Sequence, residues 1–400
     1  MGPAVLRGQT LVGAAVPPVS AEITTPAAAA AGGVLACPAL TLDYYQAVMT
    51  SAAVLCSAGG RTGHLPSICR VRGIPVLIFG PAELAALTPG TPVLVDPAAG
   101  TVTRLEPGAD PGRAAAPARP RLPAGLAPVE AVIAASADIA AINRSAVAPL
   151  VESFFMREEF AWTADAAGRT GGTRLDEPAA ITARLRAEIT GLLAGLAAGQ
   201  RLTFRLLDLR SDEAAALGLA VSGPASEPNP ELGLHGARRI AADPGYQHAI
   251  GELMARPEAG PVTFSIPFIN DEHELDDLFS KLRVADPRRW GVFVETPAAV
   301  DRLPQLLDRG ISVVNVGTKD LVQFLLAADR GNHAVARFYD TRHPAVMNAL
   351  TAISARCAGY DTTLRIFTLG SDLDYYRSRL PGGTRFMLCT SELLQLSPPP

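Results

Sequence analysis

The chain has 400 residues, of which 48% are hydrophobic and 18% charged, so it carries enough apolar material for two domains with buried cores. Its formal net charge of −4 excludes the broad basic surface that nucleic-acid binding requires. No apolar run reaches the length of a membrane helix, and the N-terminus lacks the continuous apolar core of a secretory signal. The five cysteines form no CxxC pair or metal-ligand spacing, which suits a reducing compartment and predicts a cytoplasmic protein.

The first hundred or so residues contain short β-like runs that Gly and Pro separate. These runs read TLVGAAV, AAVLC, IPVLIF, PVLVD and TVTRL. Short apolar runs with such punctuation predict a small α/β domain over residues 1–105. Residues 106–128 are rich in Pro, Ala, Gly and Arg without apolar periodicity, so we predict a semi-stiff linker there.

After the linker, over residues 129–400, apolar β-like runs alternate with amphipathic segments. Eight runs read VEAVIAA, ESFFM, LTFRLLD, VTFSIPF, WGVFVE, ISVVNVG, LRIFTL and TRFMLC. Helical periodicity lies between them, as in EPAAITARLRAEITGLLAGLAA and DEHELDDLFSKLRV. Eight strand–helix units in about 270 residues match the size of a (β/α)8 TIM barrel, an α/β fold.

Charged residues follow several of these predicted strands. Arg157 follows the second run, Arg205 and Asp208 lie in the third, Glu295 ends the fifth, and Asp320 follows the sixth. Catalytic groups of such barrels lie at the C-terminal strand ends, where a buried charge is costly unless it is paired or bound. The set therefore predicts a metal and an anionic ligand; ordinary ion pairs at the rim are the alternative for any single residue.

Several motifs together resemble the phosphoenolpyruvate-utilising enzymes, which include enzyme I of the sugar phosphotransferase system, pyruvate phosphate dikinase and phosphoenolpyruvate synthase. The barrel motifs are VFVETPAAV (292–300) and VGTKDLVQFLLAADRGNHAVARFYDTRHPAV (316–346). Shorter matches are MREEF (156–160), FRLLD (204–208), NPELGLHGAR (229–238) and IPF (266–268). In the first domain, GGRTGHLPSICRVRGIPVLIF (59–79) resembles the family's phosphohistidine swivelling domain.

The resemblance implies a role for each matching residue. His64 would carry the phosphoryl group, in a loop that Gly59, Gly60 and Gly63 keep open; a surface histidine is the alternative. Glu295 and Asp320 would hold Mg²⁺ or Mn²⁺ through carboxylate oxygens.

Cationic side chains would bind the anionic substrate. Arg157, Arg205 and Arg330 would clamp the phosphate of phosphoenolpyruvate. Arg238 would support the same anion or the rim, and Lys319 stands beside the metal ligand, where it would contact phosphate or weaken metal binding.

The sequence departs from the family pattern at four positions. Relatives carry a Cys-Gly pair after the seventh run, where a thiol protonates enolpyruvate, whereas Leu369 stands here. Cys389 could replace that acid or be a buried strand cysteine. Lys319 replaces an asparagine, His235 replaces an arginine, and RSDE (210–213) lacks the family's lysine.

Three functions remain open from the sequence. The first is a phosphotransferase that moves a phosphoryl group between phosphoenolpyruvate and His64, and then to or from a separate protein or a small molecule. The second is an enolpyruvate-using enzyme that forms C–C or C–P bonds. The third is a regulatory protein that binds phosphoenolpyruvate or pyruvate without turning it over. A homodimer through the barrel is a further expectation from the resemblance.

Overall fold

The computed structural model describes residues 5–14, 16–29, 31–41, 44–59, 64–106, 126, 128–166, 177–216, 219, 223–224, 227–256 and 259–396, except for the side chains of residues 64, 163–166, 216, 333 and 336. The predicted linker lies almost entirely outside these residues. Two compact units emerge: residues 1–122, 329–339 and 389–400 form one, and residues 123–328 and 340–388 form the other. The bounds 1–105, 106–128 and 129–400 stay a prediction.

The first unit contains an eight-stranded mixed sheet. Its strands are β1 (Val5–Arg7), β2 (Gln9–Val12), β3 (Val19–Thr24), β4 (Val34–Ala39), β5 (Ala53–Ala58), β6 (Val76–Ile78), β7 (Pro92–Asp96) and β8 (Thr101–Arg104). They lie in the order β1-β8-β7-β3-β4-β5-β6-β2, with β3, β4, β5 and β6 parallel. Its helices are α1 (Tyr45–Thr50), α2 (His64–Arg72) and α3 (Pro81–Ala85). Apolar side chains of the central strands, such as Leu55, Leu77 and Val93, form its core.

His64 is the first residue of α2. The sequence predicts a loop at this position, and the structure corrects that prediction. Pro66 is compatible with the helix because it lies in the first turn, where the backbone N–H has no intrahelical partner. Gly60 and Gly63 lie outside the described residues.

The second unit is built on a closed barrel of eight parallel strands, which confirms the predicted α/β TIM-barrel class. In chain order the strands are β9 (Val129–Ile133), β10 (Val151–Arg157), β11 (Arg201–Arg205), β12 (Val262–Ile266), β13 (Trp290–Val294), β14 (Val313–Val316), β15 (Thr363–Phe367) and β16 (Arg385–Cys389). Each corresponds to one of the eight apolar runs. Every residue of β9 and β13 is buried, as expected for parallel strands covered on both faces.

Helices of varied length follow the barrel strands. They are α4 (Ser136–Asn143), α5 (Glu159–Ala166), α6 (Pro178–Ala194), α7 (Ser211–Ala216), α8 (Gly236–Ala242), α9 (Pro244–Met254), α10 (Glu272–Lys281), α11 (Pro297–Asp301), α12 (Leu303–Leu307), α13 (Thr318–Leu326), α14 (Pro344–Cys357), α15 (Leu373–Arg377) and α16 (Thr390–Leu394). In α6, the buried Ile181, Leu185, Ile189 and Leu192 form one apolar stripe. None of the described helices combines the length and hydropathy that crossing a membrane would need.

Candidate active site

The candidate site lies at the C-terminal ends of the barrel strands, where the fold brings together charges that are distant in sequence. Arg157 ends β10, and its Cα pairs in register with that of Arg205, the last residue of β11. Glu295 directly follows β13. Lys319 and Asp320 lie in the first turn of α13, the helix that follows β14.

Arg205 is the centre of the described charge network. Its Nη2 donates to Oε1 of Glu159 at 2.5 Å, and its Nη1 lies 3.1 Å from Oδ2 of Asp208 and 3.8 Å from Oε1 of Glu295. Burial lowers the pKa of Arg205, but the three carboxylates outweigh burial and raise that pKa above its ordinary value. The guanidinium is therefore a fixed cation held by acids from three positions in the chain.

Aromatic rings form the floor beneath Arg205. Its guanidinium lies 5.4 Å from the ring centroid of Phe293, and that ring lies 5.3 Å from the ring of Phe155. An apolar floor lowers the local dielectric, so each charge above it interacts more strongly with an anionic ligand than it would in water.

Glu295 is a buried carboxylate beside a second acid. Its Oε2 accepts the backbone N–H of Phe268 at 2.9 Å. Burial and the neighbouring Asp320 raise the pKa of Glu295 above its ordinary value, although Arg205 opposes the shift. A Cβ at Gly317 would lie 2.4 Å from Oε1 of Glu295, so only glycine leaves room for this carboxylate.

Two adjacent carboxylates suit a hard divalent cation such as Mg²⁺, which prefers oxygen ligands and commonly takes only one or two from protein. Within the described ranges no three His, Cys, Asp or Glu side chains lie together as a metal site. A cation held by Glu295 and Asp320 would complete its shell with water and substrate oxygens.

Phe268 adopts a left-handed backbone conformation, with φ of 54°. A bulky residue rarely does so, and such strain persists where the surrounding structure enforces it. Here the strained residue presents the N–H that Glu295 accepts. The sequence motif IPF contained this residue but could not reveal its conformation.

Lys319 lies in the first turn of α13, and the apolar Leu369 follows the end of β15. Nζ of Lys319 lies 4.4 Å from the ring centroid of Phe367, and the Thr318 hydroxyl donates to the Phe367 carbonyl at 2.7 Å. Lys319 is thereby directed toward the seventh strand. Leu369, two residues beyond Phe367, is buried and offers no proton to that face.

The remaining predicted residues lie in several different elements. The side chain of Arg238 is exposed; its Nη1 donates to the Leu232 carbonyl at 3.3 Å, and its Nε lies 3.9 Å from Glu274.

Arg330 is half-buried in segment 329–339, which groups with the first unit, as does α2 with His64. Cys389 is buried at the end of β16. Arg157 stacks its guanidinium 4.6 Å from the ring centroid of Phe160.

The structure adds acids that sequence reasoning did not select. Glu159, within the MREEF motif, is the shortest ion-pair partner of Arg205. Its neighbour Glu158 is fully buried and accepts from the Tyr246 hydroxyl at 2.6 Å and from Nε1 of Trp162 at 3.1 Å. Burial raises the pKa of Glu158 to about 8 in spite of these hydrogen bonds.

Comparison with known proteins gives matches over both units. Sequence models of two families match: "PEP-utilising enzyme, PEP-binding domain" over residues 150–367, which is more than half of the chain, and "PEP-utilising enzyme, mobile domain" over residues 29–100.

Three curated proteins are also similar to the chain. A phosphoenolpyruvate synthase of Pyrococcus furiosus is 25% identical over 82% of this chain and 42% of its own length. The multiphosphoryl transfer protein of Rhodobacter capsulatus is 29% identical over 73% and 36%. A "Phosphoenolpyruvate-dependent phosphotransferase system" protein of Salmonella typhimurium is 32% identical over 41% and 23%. The chain spans less than half the length of each.

Proposed function

The chain belongs to the family of phosphoenolpyruvate-utilising enzymes, and on that premise we propose that its barrel binds phosphoenolpyruvate or pyruvate and exchanges a phosphoryl group with His64. A separate protein or a small molecule then donates or accepts that group. The observation that carries the proposal is the buried Arg205, fixed beside the paired acids Glu295 and Asp320. A cation next to a carboxylate pair suits a ligand that is both a phosphate ester and a chelator of a divalent metal.

Each side chain of the site has a proposed task. Glu295 and Asp320 hold Mg²⁺ or Mn²⁺, which, when bound, neutralises negative charge on the phosphate and carboxylate oxygens. Arg157, Arg205 and Arg330 clamp the phosphate of the same anion. Lys319 contacts that phosphate, and Arg238 supports the anion or the rim. The apolar floor of Phe155 and Phe293 strengthens these contacts because it excludes water.

The proposed transfer moves the phosphoryl group from the enol oxygen of phosphoenolpyruvate to His64. A ring nitrogen of His64 attacks phosphorus, and the bond between phosphorus and the enol oxygen breaks with its electron pair left on oxygen. The product is phosphohistidine and the enolate of pyruvate. Pyruvate forms when carbon 3 of that enolate takes up a proton, and the reverse sequence regenerates phosphoenolpyruvate.

Leu369 favours one alternative, a protein that binds phosphoenolpyruvate without rapid turnover. This residue is buried and apolar at the position after the seventh strand where the resemblance predicts a thiol. Without a positioned acid, protonation of the enolate loses a factor of about 10² to 10⁴. Phosphoryl transfer depends on position and electrostatics more than on an acid, so the two halves of the reaction can be tested separately.

Intact-mass measurement after incubation with phosphoenolpyruvate and Mg²⁺ tests the proposal. We expect the wild type to gain one acid-labile phosphoryl group and His64→Ala to gain none. His248→Ala is the matched control, because His248 lies in the barrel unit with a side chain that is 65% exposed. A wild type that gains no mass, or a gain that persists in His64→Ala, would overturn phosphoryl transfer through His64.

A further inference from the structure

His235 lies at a junction between the Arg205 network and the segment 229–235. Its Nδ1 lies 2.8 Å from Oδ1 of Asp208, and its Nε2 lies 3.0 Å from the backbone carbonyl oxygen of Glu231. The imidazole is only 4% exposed and packs 4.2 Å, centroid to centroid, from the ring of Phe268. Both ring nitrogens therefore face oxygen atoms inside the protein.

Neither of these oxygens can donate a proton to the ring. A backbone carbonyl only accepts, and Asp208 is held as a carboxylate because its other oxygen, Oδ2, lies 3.1 Å from the guanidinium of Arg205. A neutral imidazole has one N–H, so it would leave one nitrogen lone pair pointing at an oxygen. Only the doubly protonated imidazolium satisfies both contacts.

The segment 229–235 is tied to two further elements through Glu231. The side chain of Glu231 accepts from Nε2 of Gln323 on α13 at 2.9 Å and pairs with Arg210, which follows β11. Gln323 lies one turn beyond Asp320 on the same helix. A continuous set of polar contacts thus runs from Arg205 through Asp208, His235 and Glu231 to the helix that carries Asp320.

We infer that His235 is a charged positioning residue, which holds Asp208 against Arg205 and fixes segment 229–235 to the loops around the proposed phosphate site. The inference rests on the proposed function, because the affected property is the binding of phosphoenolpyruvate. His235 contacts no proposed ligand, since both nitrogens are used inside the protein. It acts through Asp208 on the orientation of Arg205.

The charged groups around His235 give the direction of its pH dependence. Burial lowers the pKa of His235, but the hydrogen bond and the charge of Asp208, together with the Glu231 carbonyl and carboxylate, raise it to about 9. The uncharged Phe268 covers the ring, and Arg205 and Arg210 lie beyond the two acids. In the folded protein the imidazolium, and with it the network, is therefore present well below pH 9 and is lost as pH rises through about 9; the stability it adds is full only below 6.5, the ordinary pKa.

Three substitutions at position 235 separate charge from shape. Arginine keeps a cation with several donors at all pH values. Asparagine keeps a donor near the Nδ1 position toward Asp208, and glutamine keeps one near the Nε2 position toward the Glu231 carbonyl; both are uncharged. Comparison of the asparagine and glutamine variants therefore shows which of the two contacts controls the affinity for the ligand.

The test measures the affinity of the full chain for phosphoenolpyruvate with Mg²⁺ by calorimetry between pH 7 and 10. The phosphate of a monoester is fully ionised across this range, since its second pKa is near 6. We expect the wild-type Kd to rise roughly tenfold to a hundredfold between pH 7 and 10, whereas the Kd of His235→Arg should not rise in this way. The uncharged variants should bind weakly at all pH values, His235→Asn better than His235→Gln.

A second measurement keeps the inference separate from the proposed function and from misfolding. In ¹⁵N NMR spectra of histidine-labelled protein without ligand, we expect one imidazole, absent in His235→Gln, to stay doubly protonated at pH 8. A neutral His235 at pH 7, or equal pH profiles in wild type and His235→Arg, would overturn the inference and leave the proposed function standing. A wild type that does not bind phosphoenolpyruvate at pH 7 would overturn both.

Discussion

Glu159 and Arg205 form a buried ion pair in which Oε1 and Nη2 lie 2.5 Å apart. The same carboxylate oxygen accepts the backbone N–H of Asp208 at 3.0 Å, so one acid fixes both the cation of the site and the loop that follows β11. Glu159 is itself 2% exposed. Because neither partner can be solvated by water, each depends on the other for its charge to be tolerated.

We predict that Glu159→Gln destabilises the protein and weakens phosphoenolpyruvate binding. The substitution removes the buried negative charge that pairs with Arg205, which should lower the free energy of unfolding by about 2 to 4 kcal/mol. Glu152→Gln is the matched control, since Glu152 lies in β10 and pairs with Arg385 at a partly exposed position. We expect Glu152→Gln to lower the free energy of unfolding by less than about 1 kcal/mol. Urea unfolding of both variants checks the difference; equal effects would show that burial of the Glu159 pair is unimportant.

The fully buried Glu158 should make stability depend on pH. Its pKa is raised from 4.5 to about 8, so between these values the folded state keeps a proton that the unfolded state has lost. Stability therefore falls as pH rises through this window, by up to about 1.4 kcal/mol for each pH unit. Glu158→Gln removes this titration and should make the curve between pH 6 and 8 shallower by up to about 1.4 kcal/mol for each pH unit. Glu295 and His235, whose pKa values are also raised, still contribute a slope in the variant.

Urea unfolding of wild type and Glu158→Gln at pH 6, 7 and 8 measures that slope. Asp374→Asn is the control, because the Asp374 side chain is 81% exposed and should leave the slope unchanged. If wild type and Glu158→Gln lose stability in parallel, Glu158 is already ionised in the folded protein and the predicted proton uptake is wrong.

Leu369 should make proton exchange at the methyl group of pyruvate slow. We predict that Leu369→Cys raises the rate at which deuterium from D₂O enters pyruvate, because a thiol at this position supplies the missing acid. NMR of pyruvate with protein and Mg²⁺ follows the exchange. Leu369→Ser, which adds a small polar group without an effective acid, is the matched control.

Fast exchange in the wild type would instead assign the proton to another group. Cys389, buried at the end of the neighbouring strand β16, is the first candidate. In that case Cys389→Ala should abolish the exchange, and Leu369→Cys should add little.

All eight barrel strands were predictable because each is a short, mostly apolar run, and parallel strands covered on both faces leave that pattern in the sequence. In the first unit, β1, β3 and β4 were missed. β1 has only three residues, and the β3 and β4 sequences VSAEIT and VLACPA mix small, polar and proline residues. The place of β3 and β4 in the sheet comes from pairing with β7 and β5. Sequence patterns record burial well, but they do not record the partner of a strand.

The candidate site was predictable in its residue types and less so in its contacts. Strand-end positions indicated Arg205, Glu295 and Asp320 as site residues, and the family resemblance assigned their roles. They did not select Glu159 as the partner of Arg205, because that pairing joins residues 46 positions apart in sequence. The contact between Asp208 and His235, 27 positions apart, and the left-handed backbone of Phe268 are likewise tertiary features that no local sequence pattern records.

In the proposed function, the barrel binds phosphoenolpyruvate on a divalent metal held by Glu295 and Asp320. Calorimetric titration of the full chain with Mn²⁺, in the presence and absence of phosphoenolpyruvate, tests it most directly, with Glu295→Gln beside Glu252→Gln, whose side chain in the wild type is 45% exposed. We predict that wild type and Glu252→Gln bind Mn²⁺ and bind it more tightly with phosphoenolpyruvate, whereas Glu295→Gln loses both effects. Equal Mn²⁺ affinity in wild type and Glu295→Gln would contradict the claim.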